Sequence, residues 1–381
     1  MTRRRVAAVL VVACLTAACR PVKPGDPVRG LSKAERDRFA RGKVVFDSVF
    51  KPETGLGPLF NAVACGECHE EPVAGGSGDE VEVHAAAFKG GVCDPLVGEG
   101  GPVVQQDATP ALKQALGIDK EPVPPSATAQ AGRSSPVVFG RGLLDAIPEA
   151  AILAYADPND QNGDGISGRP NRFFDGRLGR FGRKGLVPTL DEFNAGAFPI
   201  EMGITNPAVR TEETVGGKPI PAGVDPVPEP EINQEALDLT NTFVRLLAIP
   251  TPAKHGKQEK RGSAVFSEIG CAACHIPLLR TGDNPVAALR NKEVAAYTDL
   301  LLHDMGPDLA DICLGLATPS EFRTEPLIDL RDAKRFLHDG RAATPEQAVE
   351  LHGGEGSAAR DRFKALPAAD HAALVAFLKS L

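Results

Sequence analysis

Cys65-Gly66-Glu67-Cys68-His69 and Cys271-Ala272-Ala273-Cys274-His275 decide how this chain is read. In each stretch two thiols three positions apart can reach the two vinyl groups of one porphyrin. The histidine that follows falls where its imidazole can coordinate iron from the proximal side. The alternatives are a zinc site made of two Cys-x-x-Cys pairs, or a pair of redox dithiols. Two independent matches, each behind a similar helical segment in a chain with an export signal, favour two covalently attached c-type haems.

Outward from these motifs the chain repeats itself. Arg41-Gly42-x-x-x-Phe46 precedes the first and Arg261-Gly262-x-x-x-Phe266 the second, within segments of mostly helical spacing. Leu31-Ser32-Lys33-Ala34-Glu35 opens the earlier one with a serine cap. Residues 236–247 and 372–381 are alike and close each half. Each half therefore reads as helix, haem motif, long loop region and closing helix. The expected fold is all-α with long irregular loops, in two cytochrome c-type domains that each bind one haem. The proline-punctuated stretch 248–253 marks the boundary, giving an N-terminal domain over 31–250 with insertions between Glu70 and Pro230, and a C-terminal domain over 251–381. Gly 40 and Pro 33 fit a backbone rich in turns.

The N-terminus reads as a leader. Arg3-Arg4-Arg5, an apolar run from Val6 to Leu15 and Thr16-Ala17-Ala18-Cys19 form a basic region, a short apolar region and a small-residue cleavage site, so residues 1–18 are expected to be a signal peptide. The small residues before Cys19 resemble a lipobox. Cysteine pairing agrees, because cleavage there removes Cys14 and leaves six further cysteines that can all be used. The expectation is a periplasmic protein lipid-anchored at Cys19, with residues 19–30 as tether. Losing Arg3, Arg4 and Arg5 makes a net charge of −8 more negative still, which disfavours nucleic acid as a partner.

Whether an iron transfers electrons or binds a small oxidant depends on its sixth ligand. Besides His69 and His275, the candidates are His84, His255, His303, His338, His352 and His371, with Met202 and Met305 as the internal methionines.

Several longer segments sharpen this. They are Phe60-Asn61-x-x-x-Cys65-x-x-Cys68-His69, the run from Pro136 to Pro148, Asp164-Gly165-Ile166-Ser167-Gly168-Arg169, Glu201-Met202-Gly203-Ile204-Thr205, the run from Asp299 to Pro307, and Phe336-Leu337-His338-Asp339-Gly340-Arg341-Ala342. Together they resemble the bacterial di-haem cytochrome c peroxidase and MauG superfamily, most closely its di-haem oxidoreductase branch, also called thiol oxidoreductases. By that resemblance the distal ligand of the second haem falls fourteen residues after His338, on His352, with Met305 as the alternative. A displaceable distal histidine of the first haem would be His84, although an open position is equally compatible. Phe174-Asp175-Gly176-Arg177 followed by Glu201-Met202 resembles the segment that places an acid-base carboxylate over the first haem, so Glu201 is the candidate catalytic residue. The loop before it is shortened, with Phe193-Asn194 where the family has a polar Gln.

Two further features stand apart. Asp160-Gln161-Asn162-Gly163-Asp164-Gly165-Ile166 fits the opening of a calcium loop, with side-chain ligands from Asp160, Asn162 and Asp164 and a carbonyl from Ile166. Asn171 stands where a bidentate Glu would complete it, and an Asx-rich turn bonding its own backbone is the alternative. Cys93 and Cys313, one in each half, are expected to form an inter-domain disulfide, with thiolate ligation of iron as the minor alternative.

The leading expectation is a periplasmic peroxidase-like oxidoreductase. Electrons from a donor protein such as a small cytochrome or cupredoxin enter at the C-terminal haem and reach a small oxidant at the N-terminal one. A non-catalytic electron carrier is the runner-up. MauG-like oxidation of a protein substrate is disfavoured because the chain has no Trp for a relay between haems.

Overall fold

The computed structural model describes residues 20–381. The leader, Cys14 and the proposed anchor at Cys19 lie outside the described residues. Among the described residues no helix is long and apolar enough to cross a membrane.

The frame is carried by α1 (Lys33–Phe46), α2 (Leu190–Met202), α3 (Gln234–Leu246), α4 (Lys257–Glu268) and α5 (Ala368–Leu378). Helix α1 starts where the sequence caps it. Ser32 Oγ accepts the Glu35 amide, and the Glu35 carboxylate accepts the Ser32 amide in return, which satisfies donors that a helix start leaves without partners.

The repeated Arg-Gly-x-x-x-Phe is a helix-crossing motif. Where α1 crosses α3, a β-carbon on Gly42 would stand 2.2 Å from the Leu239 carbonyl oxygen, so only glycine allows the backbones to meet. One turn on, the Phe46 ring packs 4.9 Å from Phe243, and Arg41 bonds Glu235 at 2.8 Å. Helices α4 and α5 cross in the same way. A β-carbon on Gly262 would lie 2.0 Å from the Ala373 carbonyl oxygen, Phe266 sits 5.6 Å from Phe377, and Arg261 grips Asp370 through two bonds of 2.8 Å.

The expectation of an all-α fold is overturned. The chain is 32% helical and 14% strand, with several small sheets. The largest is built on β1 (Val81–Lys89) as its middle strand, flanked by β2 (Val92–Asp94) and β3 (Val103–Val104) on one side and β4 (Ala129–Ser134) on the other, all antiparallel. The physical reason is local. Val81 and Val83 alternate with Glu82 and His84, and Gly90-Gly91, both at positive φ, make the two-residue turn that folds β2 back on β1. A smaller pair, β5 (Leu302–Asp304) with β6 (Glu321–Arg323), lies in the C-terminal half.

The expected boundary near residue 250 does not interrupt the core. One buried cluster joins Phe39, Phe46, Phe139, Leu144 and Phe243 to Leu279, Leu289, Leu300 and Ile328, while a second surrounds the α4–α5 pair. The segment read as a tether runs beside the boundary. The Val28 amide bonds the Leu246 carbonyl, and the Ala248 and Thr251 amides bond the carbonyls of Asp26 and Val22.

Two polar devices fasten the sheet-bearing insertion to the C-terminal half. Cys93 on β2 is joined to Cys313 by a disulfide, a cross-link that limits the freedom of the unfolded chain. Behind it, Asp311 receives two bonds from Arg133 at 2.9 and 2.7 Å and lies 2.7 Å from Lys184 Nζ. Lys184 is fully buried, and three backbone carbonyls, of Thr318, Pro319 and Glu321, take its protons.

The crossing geometry yields a test. Gly262→Ala forces the α4 and α5 backbones apart and is expected to lower unfolding free energy by about 1–3 kcal/mol, read by denaturant melts. An unchanged midpoint would show that the crossing tolerates a side chain.

Candidate functional site

Cys65–Cys68 forms a single helical turn ending at His69, and Cys271–Ala273 a 3-10 turn leading to Cys274 and His275. All four cysteines are free thiols. Each histidine is oriented by its Nδ1, which faces the Gly76 carbonyl at 3.2 Å for His69 and the Tyr297 carbonyl at 2.9 Å for His275. At His275 that bond fixes the tautomer with the Nε2 lone pair free, the form an iron requires; His69 also has the Pro136 backbone within hydrogen-bonding reach. Burial holds His69 below the ordinary histidine range. Burial, with His352 nearby, takes His275 down to about 4, so both imidazoles are neutral. The two sites also share a wall, since Phe46 lies 6.2 Å from His69 and Phe266 6.4 Å from His275. Thiols, neutral imidazoles and aromatic walls thus fit a haem at each motif.

Beside the first motif the chain gathers carboxylates. Glu201, near the C-terminal end of α2, accepts a 2.9 Å bond from Asn61 Nδ2, and its backbone carbonyl accepts the Asn61 and Ala62 amides. Its carboxyl meets that of Glu82 on β1. Burial first, then the charge of Glu82, pushes Glu201 well above the carboxylate range. Burial also acts to raise Glu82, but the 3.0 Å bond to His84, with His69 and Arg133 nearby, outweighs it and holds Glu82 low, while burial lowers His84 itself. The two carboxyls are thus pushed in opposite directions, Glu201 towards its protonated form and Glu82 towards its charged one. Sequence reasoning missed Glu82; its signal was the alternation Val81-Glu82-Val83-His84, which turns both polar side chains to one face of a strand. His84 comes to this cluster with Nε2 engaged by Glu82.

Phe174-Asp175-Gly176-Arg177 is not drawn in. Phe174 is 79% exposed, and Arg177 bonds Asp175 and Glu192 at the surface. Further round the first motif, the guanidiniums of Arg141 and Arg323 bond Glu325, and that of Arg183 lies 3.2 Å from it. Three cations around one carboxylate leave positive charge that the propionates of a haem would balance.

At the second motif, His352 Nδ1 bonds the Ala348 carbonyl at 2.6 Å, and its Nε2 is left for a ligand. Met305 shares its surroundings: a β-carbon on Gly356 would meet the His352 ring at 3.3 Å and Met305 Cε at 3.4 Å. His303 has a different occupation. Its Nε2 bonds Asp299 at 2.8 Å and its Nδ1 bonds Glu355 at 2.7 Å, with Cys274 Sγ at 3.5 Å. Burial opposes the charge, but these partners raise His303 to about 12. An imidazolium clamped at both nitrogens offers no lone pair to iron. His338 stacks on Phe322 at 4.4 Å, His255 bonds Ser380, and His371 packs on Phe363.

In the expected calcium loop, Asp160 accepts the Gly165 amide, Asn162 the Asp164 amide and Asp164 the Ile166 amide. Asn171, at the closing position, bonds the Lys184 and Leu314 carbonyls and accepts the Leu316 amide, so it is committed elsewhere. The next residue along the loop, Ser167, is held by Glu355 through its amide and hydroxyl.

These features define a protein with two haem-binding motifs and a carboxyl pair beside one of them. The family model described as "Di-haem oxidoreductase, putative peroxidase" matches residues 127–381, and the chain belongs to that family. No curated relative matches the chain. Among solved structures it is similar to a MauG-like protein associated with microbial copper homeostasis, at 16% identity over 95% of this chain and 92% of that one, with TM-score 0.40. It is also similar to the diheme peroxidase BthA from Burkholderia thailandensis, at 17% over 95% and 93%, TM-score 0.40. The hydrazine synthase of Kuenenia stuttgartiensis is 14% identical over the whole of both chains, TM-score 0.39.

His303 supplies a test by its charge. His303→Leu leaves Asp299 and Glu355 facing an apolar side chain and is expected to cost about 3–5 kcal/mol of stability. Because the folded pKa is raised, the contribution is complete below the unfolded value of about 6.5 and declines as pH rises towards 12. The difference between wild type and variant in urea melts should therefore shrink above neutral pH. A constant difference would sink the clamped-imidazolium assignment.

Proposed function

We propose that this protein is a periplasmic di-haem c-type oxidoreductase of peroxidase type, taking one haem at Cys65, Cys68 and His69 and the other at Cys271, Cys274 and His275. The observation that carries the reading is the Glu201–Glu82 pair beside the first motif. Family membership supports the oxidoreductase class, and the carboxyl pair supports peroxide as the oxidant.

When bound, the haems supply iron that accepts electrons one at a time. The chain does the rest. Neutral His69 and His275 would each hold an iron, and His352, with its Nε2 uncommitted, would be a further ligand at the second motif, which would make that side the electron-transfer side. A donor protein such as a small cytochrome or cupredoxin would deliver electrons there. At the first motif, reduction of hydrogen peroxide consumes two electrons and two protons and yields two waters. Glu201 holds a proton where the departing oxygen needs one, and Glu82 recovers it from the other oxygen. Asn61 fixes the direction of the Glu201 carboxyl. The same reading places calcium at Asp160, Asn162, Asp164 and the Ile166 carbonyl, and a lipid anchor at Cys19.

An electron carrier with two six-coordinate irons is the second reading, for which His84, in the same cluster, would have to exchange its bond to Glu82 for one to iron. Low-temperature EPR of the oxidised and half-reduced holoprotein separates them, since a high-spin ferric signal is required for peroxidase and two low-spin signals in every state for a carrier. Glu201→Gln is expected to lower peroxide turnover by about 10²–10⁴-fold. Glu82→Gln removes the charge that helps keep Glu201 protonated. Activity that needs protonated Glu201 falls as pH rises, and in this variant the fall should move to lower pH. A pH–rate profile identical to wild type would remove Glu82 from the mechanism.

A further inference from the structure

Electron transfer from the second motif to the first has few aromatic side chains to use. The chain has no Trp and only two tyrosines. Tyr155 is 43% exposed, and the Tyr297 ring packs against Phe266 and Phe377 of the α4–α5 pair. What does join the motifs is an unbroken run of hydrogen bonds. His275 Nδ1 faces the Tyr297 carbonyl at 2.9 Å. On the next residue, the Thr298 hydroxyl donates to the Thr324 carbonyl at 2.7 Å. Thr324 is followed by Glu325, whose carboxylate accepts Arg141 Nη2 at 3.0 Å. The same nitrogen donates to the Val137 carbonyl at 2.7 Å. The amide of that peptide, on Val138, bonds the Gly75 carbonyl at 2.9 Å, and His69 Nδ1 faces the carbonyl of Gly76 at 3.2 Å. Six hydrogen bonds, with short covalent stretches between them, thus connect Nδ1 of one motif histidine to Nδ1 of the other.

The backbone around Thr298 is an independent sign that this run is built. Tyr297 and Leu300, on either side of it, have φ of 50° and 62°, the left-handed region that bulky residues avoid. Strain of that kind persists where the surroundings fix it, and it gathers at functional sites. Here it aims the Tyr297 carbonyl at His275 while Thr298, fully buried, turns its hydroxyl to Thr324 and accepts the Leu300 amide at 3.0 Å. The Thr298 amide also bonds the carbonyl of Ile276, the residue after His275, at 3.0 Å. Arg323 reinforces the middle of the run, donating Nη1 to the Thr324 carbonyl at 3.1 Å and Nη2 to Glu325 at 2.6 Å.

We propose that the bridge of Thr298, Thr324, Glu325 and Arg141 is the electronic link between the two haem motifs, closed by the Thr298 hydroxyl. The inference rests on the two-haem reading and serves the peroxidase and the carrier alike. One electron leaves the site at His275 and arrives at the site at His69; no bond is made or broken, and no proton crosses. Tunnelling weakens less through covalent and hydrogen bonds than across gaps in packing, and hydrogen bonds in series polarise one another. A continuous run therefore sets the coupling, and one missing hydroxyl interrupts it.

The test uses the mature holoprotein, half-reduced by pulse radiolysis, with redistribution of the electron between the two sites followed through their absorption bands. Haem content and both reduction potentials are measured beside it. Thr298→Val removes the hydroxyl at nearly constant shape, and Thr298→Ser keeps it. Arg141→Lys keeps the charge but gives up the fork that holds Val137 and Glu325 together. Thr298→Val and Arg141→Lys are each expected to slow the transfer severalfold, with haem content and potentials as in wild type, and Thr298→Ser to restore it. Transfer at the wild-type rate in both of the slowed variants would overturn the bridge. So would equal slowing in Thr298→Ser and Thr298→Val, which would assign the effect to packing, or a shift in potential large enough to account for the slower rate. A wild-type protein carrying fewer than two haems would sink the two-haem reading and the bridge with it, and haem content alone tells that outcome from the others.

Discussion

Everything in this molecule hangs on two helix crossings closed to the distance of bare backbone. Gly42 against the Leu239 carbonyl and Gly262 against the Ala373 carbonyl let α1 meet α3 and α4 meet α5 without a side chain between them. Phe46 and Phe266 follow one turn later, each pressed on a phenylalanine of the partner helix and each facing the histidine of a CxxCH motif. A crossing that opened would therefore move the wall of a haem site as well as a core contact. The packing that holds the fold and the packing that shapes the sites are one set of side chains, which explains why the echo around each motif extends to an arginine and its carboxylate partner.

The insertion between the motifs is held by other means. It has a small core of its own, where Ala108, Leu112 and Val224 pack against Leu59, and it is fastened to the C-terminal half by ion pairs and a disulfide. Asp311 is enclosed by Arg133 and Lys184, Glu325 by three arginines, and Cys93 is bonded to Cys313. Buried ion pairs add little net stability but are costly to break one partner at a time. They fix position, and position is what the first motif needs, because β1 carries Glu82 and His84 to Glu201 across more than a hundred residues of sequence.

How much of this was legible follows from range. The helix starts, the two CxxCH turns and the repeated crossing are local patterns, and each appears in the structure where its residues stand. The sheet was readable too, in the Val81-Glu82-Val83-His84 alternation and the Gly90-Gly91 turn, but the dominance of the haem motifs drew the reading towards helices and loops. Beyond reach were the pairings set by tertiary contact. Nothing near Glu82 announces Glu201, nothing near His303 announces Glu355, and the tight use of Asn171 by four backbone groups is invisible in a loop pattern that asks only which residue stands twelfth.

His303 shows how such a pairing changes chemistry. By residue type it belonged with the other candidate iron ligands, and its neighbours Asp304 and Met305 gave no reason to exclude it. Two carboxylates, one four residues away and one fifty-two, take both ring nitrogens and convert a possible ligand into a fixed cation beside Cys274. Glu355 at the same time holds Ser167, at the end of the Asp160 loop. The loop and the second CxxCH motif are thus joined through one carboxylate, whose two oxygens are divided between the Ser167 hydroxyl and the His303 ring.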